Sequence, residues 1–308
     1  MKVFLTGATG FVGGYLLSRL VADGHAVRAM ARADGDLDAL KAKGAEPIKA
    51  DLLDEKSLER CVGGMEIVVH CGGLSSATEQ EEELFFRANT LGSFLLLEKA
   101  RLAGVKQFVF ISSILVYLGL EKPLYLPVDE RHPLFPHKNQ AGAYKVAIEA
   151  YCYYYHIRYG MNTSAFRLAG VFGEIRKKQY GWPERIDNAR QGKDFVCSRN
   201  SGSMTVSARD VAGVISLAIG NENIGGEVFN LADFYLENAY GARRIAEIGK
   251  FNYKTIEKES KVQPYIISNE KVRRVFGFEF SGKQHLDEYL KYLIDSSSAC
   301  KTQQDKGK

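Results

Sequence analysis

The run Thr6-Gly-Ala-Thr-Gly-Phe-Val-Gly13 follows an apolar opening, Met1-Lys-Val-Phe-Leu5. A short strand that breaks into a glycine-rich turn and passes straight into a helix makes a seat for a pyrophosphate. Gly7 permits the tight turn, Gly10 lets backbone approach the phosphates, and Gly13 lets the helix pack close to the strand. The helix N-terminus adds N–H groups and the positive end of its dipole. Alone, such a pattern marks an ordinary turn. Here an amphipathic helix follows it (Tyr15, Leu16, Leu17, Leu20, Val21), and a second strand lies beyond Gly24. The turn is therefore read as a dinucleotide site touched by Gly7, Thr9, Gly10, Phe11 and Val12.

Strand and helix signals alternate through the first 170 or so residues. Apolar runs predict strands at Val3–Leu5, Ala26–Ala31, Glu46–Lys49, Ile67–His70, Gln107–Ile111 and Thr163–Arg167. Helical patterns separate them at Gly13–Ala22, Leu37–Lys43, Lys56–Cys61, Glu82–Ala103 and Ala143–Arg158. That alternation implies an α/β fold, a Rossmann-type doubly wound parallel sheet with helices on both faces. After Gly173 the pattern loosens: Glu174–Pro183 reads as a loop, and Ile186–Gln191, Val211–Ile219, Tyr240–Gly249 and Asn269–Val275 read as helices. The organisation expected is a dinucleotide-binding domain over 1–173, continued by parts of 203–235. A smaller α/β lobe over 174–295 would cap the sheet and shape a substrate pocket, and 296–308 would be a polar, disordered tail.

Charge and cysteine usage narrow the function classes. Net charge is +4 and the basic residues are scattered, which argues against a nucleic-acid or membrane partner. The longest apolar run, Phe108 to Leu120, is too short to span a bilayer. The glycine turn begins six residues from Met1, which leaves no room for a signal peptide. Cys61, Cys71, Cys152, Cys197 and Cys300 have neither paired nor metal-ligand spacing, and the six histidines add no metal pattern. Reduced thiols in a cytoplasmic protein without a metal are the expectation.

Further motifs follow in order: Ala50-Asp51-Leu52-Leu53, Val68-Val-His-Cys-Gly-Gly73, Asn89-Thr-Leu-Gly92, Phe110-Ile-Ser-Ser-Ile-Leu-Val-Tyr117, Lys145-Val-Ala-Ile-Glu149, Arg167 to Gly173, and Arg209-Asp-Val-Ala212. With the glycine turn, they resemble the extended short-chain dehydrogenase/reductases of the NAD-dependent epimerase/dehydratase superfamily over about residues 1 to 295. The resemblance implies that Asp51 and Leu52 meet the adenine, and that Cys71, Gly72, Gly73 and Asn89 lie along the cofactor. It implies that Ser113 orients the substrate oxygen, and that Lys145 holds the nicotinamide ribose and lowers the pKa of a tyrosine acid/base from about 10. On the substrate side it points to Ser75, Ser113, Tyr117, Tyr144 and Gly170, with Ser76 a weaker candidate.

The family's tyrosine falls at residue 141, where this chain has Ala141. Positions 141 and 145 share a helical face. Tyr144 points about 100° away from Lys145 around the helix and is a poor substitute. Ala141 is read as a vacated catalytic position and the chain as an inactivated variant, an engineered knockout that keeps the cofactor site intact. A natural inactive homologue is a second reading, and a different donor such as Tyr117 or a water a third.

Arg32 ends the second strand where NAD-specific relatives carry an acid, with Arg28 upstream; a guanidinium there favours NADP(H), while Asp34 and Asp36 leave NAD(H) open. The asparagine and arginine usual in sugar-nucleotide relatives are replaced by Gly170 and Ser203. Leu74, Phe135, Phe172, Tyr180, Trp182 and Phe195 suggest a more apolar substrate, about half of them being core. Arg176, Lys177 and Lys178 read as a solvated loop. The function expected is NAD(P)-dependent oxidoreduction of a hydroxyl/ketone pair. A nucleotide-sugar epimerase or dehydratase retaining NAD, and a non-catalytic cofactor-binding regulator, are the alternatives. Aromatics Tyr151 to Tyr155 suggest a homodimer through the helix that follows Lys145.

Overall fold

The structure is a computed structural model that describes residues 1–74, 82–136, 140–174 and 181–304. The first half alternates β1 (Lys2–Thr6), α1 (Phe11–Ala22), β2 (Ala26–Ala31), α2 (Asp34–Ala42), β3 (Glu46–Lys49), α3 (Glu55–Val62) and β4 (Ile67–His70). Next come α4 (Glu82–Phe85), a π-helical turn (Phe86–Leu91), α5 (Gly92–Leu102), β5 (Gln107–Ser113), a 3-10 turn (Ile114–Val116), α6 (Gln140–Tyr159) and β6 (Asn162–Leu168). The rest comprises β7 (Gly170–Phe172), α7 (Trp182–Arg190), β8 (Phe195–Ser198), β9 (Gly202–Ser207), α8 (Ala208–Ala218), β10 (Glu227–Leu231), β11 (Phe234–Glu237), α9 (Asn238–Gly249), β12 (Thr255–Lys258), α10 (Glu270–Phe276) and α11 (Lys283–Gln304).

Seven parallel strands run β10-β6-β5-β4-β1-β2-β3, the doubly wound order expected. Alternation along the strands divides the core. Val3, Leu5, Val69 and Val109 pack with Leu16, Leu17, Leu20, Val211 and Val214, on the face of α1 and α8. Phe4, Val68, Phe108 and Phe110 pack with Leu58, Leu96, Leu97, Ile148 and Cys152, on the face of α3, α5 and α6. Burying each large side chain contributes about 1.5–3 kcal/mol. The two faces thereby fix which strand residues point where.

The later chain departs from the sequence reading. It forms two small sheets, β11-β9-β7 and β12-β8, with a third core around Phe172, Ile186, Ile245, Leu286 and Leu290. Of the described strands after β6, only β10 joins the main sheet. The segment read as a tail from Ser296 instead continues α11 to Gln304. Leu286, Tyr289, Leu290, Leu293 and Ile294 bury at helical spacing and carry that helix forward. Residues 305–308 lie outside the described residues. The loop predicted to Pro183 gives way to α7 at Trp182, and the single helix predicted over Glu82–Ala103 is interrupted by the π turn.

Candidate active site

Geometry at the glycine turn leaves no room for side chains. Gly7 has φ +73°, and a Cβ there would lie 2.7 Å from the Cys71 carbonyl carbon. A Cβ on Gly13 would sit 1.9 Å from the Gly7 oxygen. The Gly10 N–H donates to the Gly7 carbonyl at 2.9 Å and closes the turn. Gly10 is also the N-cap of α1, so no side chain covers that helix end. Thr9 and Gly10 are exposed at its lip, with Phe11 and Val12 half-buried behind them. A backbone cradle held open by missing Cβ atoms, at an uncapped helix start, fits the pyrophosphate of a dinucleotide.

Behind the turn runs a buried chain of hydrogen bonds. The Gly72 N–H donates to Thr6 Oγ1 at 2.9 Å. Thr6 Oγ1 lies 2.7 Å from His70 Nδ1, and His70 Nε2 lies 2.7 Å from Ser93 Oγ. Ser93 donates to the Asn89 carbonyl at 2.5 Å, which obliges its oxygen to accept from Nε2–H. The ring is then neutral with Nδ1 accepting from Thr6. Burial, helped by the Lys145 charge, holds His70 down to about 3. Asn89 completes the chain, accepting the Leu74 N–H at 2.6 Å and donating to the Leu74 carbonyl at 3.2 Å. The π turn carries Asn89, and such turns recur at functional sites. A Cβ on Gly73 would come 2.7 Å from Asn89 Oδ1, so Gly72 and Gly73 are pinned between Thr6 and Asn89. Cys71 beside them is a thiol, its pKa pushed up to about 11 by burial.

Ser113 ends β5 and caps the 3-10 turn, its oxygen accepting the Leu115 N–H at 3.2 Å. Its O–H proton has no acceptor among the described residues. Lys145 Nζ donates to the Ile111 carbonyl at 2.5 Å and stands 4.6 Å from the Phe110 ring and 4.7 Å from the Tyr144 ring. Lys145 and Ser113 are thus brought to one strand end. Ala141, one turn earlier on α6, is buried at 8% exposure.

Tyr144 packs edge-on to Phe85 at 5.5 Å, and its hydroxyl would lie 3.5 Å from a Cβ on Gly73. Tyr117, taken from the sequence as a substrate contact or proton donor, is neither. It is fully buried, donates to Asn230 Oδ1 at 3.0 Å and accepts from Arg167 Nη1. The 3-10 turn after Ser113 folds its ring back into the core, and burial raises its pKa beyond use. Arg167 also forks onto Glu149, which accepts from Ser112 Oγ at 2.5 Å. That buried pair ties α6, the helix that carries Lys145, to β5 and β6.

At the far end of the turn, Arg32 is exposed and has no ion pair or hydrogen bond among the described residues. Arg28 serves the fold instead, pairing with Glu46 at 3.0 Å and donating to the Arg60, Cys61 and Gly63 carbonyls. Asp34 is drawn to Lys49 at 2.8 Å. Asp51 Oδ1 accepts the Leu53 N–H at 2.8 Å, and Leu52 is buried beneath it.

The sequence pattern of the NAD dependent epimerase/dehydratase family matches residues 3–232. The chain belongs to that family. It is 28% identical to a 4-hydroxy-2-methyl-3-oxo-4-farnesyl-3,4-dihydroquinoline-1-oxide ketoreductase of Stigmatella aurantiaca, over 90% of this chain and 92% of that one. A short-chain dehydrogenase/reductase superfamily protein from Agrobacterium tumefaciens with bound NAD superposes with a TM-score of 0.82 at 24% identity, covering 99% and 100% of the two chains. A UDP-glucose 4-epimerase with UDP-glucose from Thermotoga maritima gives 0.80 at 23%, covering 97% and 99%. The two structures establish the fold.

Within this epimerase/dehydratase frame the substrate side is less complete. Gly170 opens β7, exposed, with the Met204 carbonyl 3.1 Å from where its Cβ would stand. Ser203 is exposed on β9. Phe172 belongs to the core, packing on Tyr289. Ser75, Ser76, Arg176, Lys177, Lys178 and Tyr180 lie outside the described residues. Thr6 and Ser93 were missed from sequence as site residues. The only signal was Ser93 one helical turn after Asn89. No described helix is long and apolar enough to cross a membrane, and no three His, Cys, Asp or Glu side chains gather as a metal would require among the described residues.

Proposed function

We propose that this protein is an NAD(P)-dependent oxidoreductase acting on a hydroxyl/ketone pair of a substrate other than a sugar nucleotide, with turnover limited by Ala141. The observation that carries it is the convergence of Lys145 and Ser113 on the end of β5, at the same edge of the parallel sheet as the glycine turn. When bound, the cofactor would supply or accept the hydride at its nicotinamide. The first turn of α1, with Gly7, Thr9 and Gly10, would cradle the pyrophosphate. Asp51 and Leu52 would border the adenine, and Cys71, Gly72, Gly73 and Asn89 would flank the nicotinamide half.

Ser113 has a hydroxyl proton to orient the substrate oxygen. Lys145 spends one of three N–H donors on Ile111, leaving two for the ribose and for stabilising charge. Proton transfer is the weak link. A methyl at 141 cannot exchange a proton, and Tyr117 is sealed in the core. Arg32, without a carboxylate partner among the described residues, supports NADP(H) over NAD(H). The whole-length likeness to a ketoreductase supports a ketone substrate. Gly170 and Ser203, at positions where sugar-nucleotide enzymes place polar contacts, support it too.

Two rival readings have a footing. The UDP-glucose 4-epimerase likeness favours an epimerase that retains NAD. Ala141 favours a cofactor-binding regulator. The test is NADPH-linked turnover of a ketone panel by the native chain and by Ala141→Tyr. Restoring the phenol is expected to raise the rate at least ~10²-fold. No gain, with the variant folded and binding NADPH, refutes the vacancy argument and leaves the regulator.

A cytoplasmic enzyme is proposed, with the chain dividing into a dinucleotide-binding part and a smaller substrate lobe. A homodimer is proposed through α5 and α6. There Tyr151, Tyr153, Tyr154 and Ile157 are exposed, and Phe94 packs on Tyr151 at 5.0 Å.

A further inference from the structure

A cavity of about 420 Å³ opens in the C-terminal lobe between α7, the start of β8, α9 and the turn before β12. None of its lining residues sits on an element that carries the glycine turn, Ser113, Lys145 or Gly170. Phe195, Ile245 and Tyr253 give it an apolar wall. The Tyr253 hydroxyl donates to the Ala242 carbonyl and is already engaged.

Arg185 supplies the charge. Its guanidinium stands 5.5 Å from the Trp182 ring and 5.1 Å from the Phe195 ring, and its one hydrogen bond among the described residues goes to Asn238 Oδ1 at 3.2 Å. No described carboxylate is within ion-pairing distance of it. Burial draws its pKa below the ordinary guanidinium range, yet such a group stays charged. A half-desolvated charge without a counter-ion is costly unless something pairs with it. Glu184, Lys193 and Asp194 also line the cavity, but all three are exposed and water screens them. Of the charged residues that line the cavity, Arg185 is the least exposed.

We propose that this cavity binds a small organic anion, its carboxylate held by the Arg185 fork and its aromatic or branched apolar body laid against Phe195, Ile245 and Tyr253. The pairing suits the planar donors of arginine, and the volume suits a ligand of that size. The cavity takes in Phe195, named above as a substrate-side aromatic, but no residue of the glycine turn, and neither Ser113 nor Lys145, so its argument does not depend on how the hydride-transfer site is read.

Benzoate is the probe, titrated calorimetrically into the full chain with and without NADPH. Millimolar or tighter binding is expected, independent of NADPH. Arg185→Gln should weaken it at least about tenfold, the loss of one charge-assisted contact, and leave NADPH affinity unchanged. Arg185→Lys keeps the charge without the fork and should fall between; it also serves if Arg185→Gln does not fold. No benzoate binding up to about 20 mM would overturn the proposal, as would equal binding by both variants or displacement of NADPH by benzoate. Inorganic phosphate binding as tightly as benzoate would overturn the role given to the apolar wall.

Discussion

Acid should weaken this fold through His70. The imidazole is fully buried, wedged between Thr6 and Ser93, and stacked 5.8 Å from the Phe110 ring. Burial and the Lys145 charge hold its pKa near 3, against 6.5 for an ordinary histidine. Between those values the unfolded chain carries a proton that the native protein refuses. Stability therefore falls as pH drops through that window, is fully present above about 6.5, and stops falling on this account near 3. Each pH unit well inside the window is worth about 1.4 kcal/mol, so going from about pH 7.5 to 5 removes about 2 kcal/mol.

Urea unfolding of the native chain and of His70→Gln, at several pH values from about 7.5 to 5, isolates the term. The difference between the two slopes should approach one proton. Proton NMR of the native imidazole gives a readout that does not need the variant to fold. The ring should stay neutral throughout that range, with Nε2–H as the tautomer. A native His70 that titrates near 6.5, or slopes that match, would refute both the neutral ring and the directed chain from Thr6 to Asn89.

Arg32→Ser is expected to weaken NADPH about 10- to 100-fold and leave NADH nearly unchanged, since only a 2′-phosphate uses the charge; equal losses for both cofactors in calorimetry would remove the NADP(H) assignment. Charging the α6 surface by Tyr154→Asp should shift sedimentation from dimer to monomer at micromolar protein, and a native chain that sediments as a monomer would dispose of the proposed interface.

Legibility in the sequence followed physical locality. The six strands from β1 to β6 announced themselves because each is an apolar run between amphipathic helices, and their order follows from right-handed crossovers. The glycine turn was legible because a Cβ at Gly7 or Gly13 is forbidden by its neighbours. Strands β7 to β12 were not. Each is short, and pairing with a distant partner, as Phe195 pairs with Thr255, decides them more than their own pattern does. The role of Tyr117 was misread for a related reason. Its spacing from Ser113 places it near the strand end, but only the 3-10 turn tells which way the ring goes. The Thr6–His70–Ser93 chain joins three segments that touch only in the folded sheet, and no local signal could have assembled it.

Residue 141 shows how far the scaffold is independent of the chemistry it would perform. Ala141 packs in the same layer as Phe85, Tyr144 and Ile148, and α6 is anchored by other bonds: Lys145 to Ile111, Glu149 to Ser112 and Arg167, Tyr155 to Glu98. None of these needs a phenol one turn before Lys145. Losing the phenol therefore costs no strut of the helix, and the lysine, the serine and the cofactor cradle stay where the sheet puts them. The converse also follows. Alanine to tyrosine costs a helix only about 0.5 kcal/mol of intrinsic propensity, so the main obstacle to restoring the acid/base is room for the ring beside the buried Ala141. If that room exists, a single substitution at 141 should recover turnover without any second change; if two or more are needed, the cleft has been rebuilt around the methyl and the chain has been adapted to work without that proton.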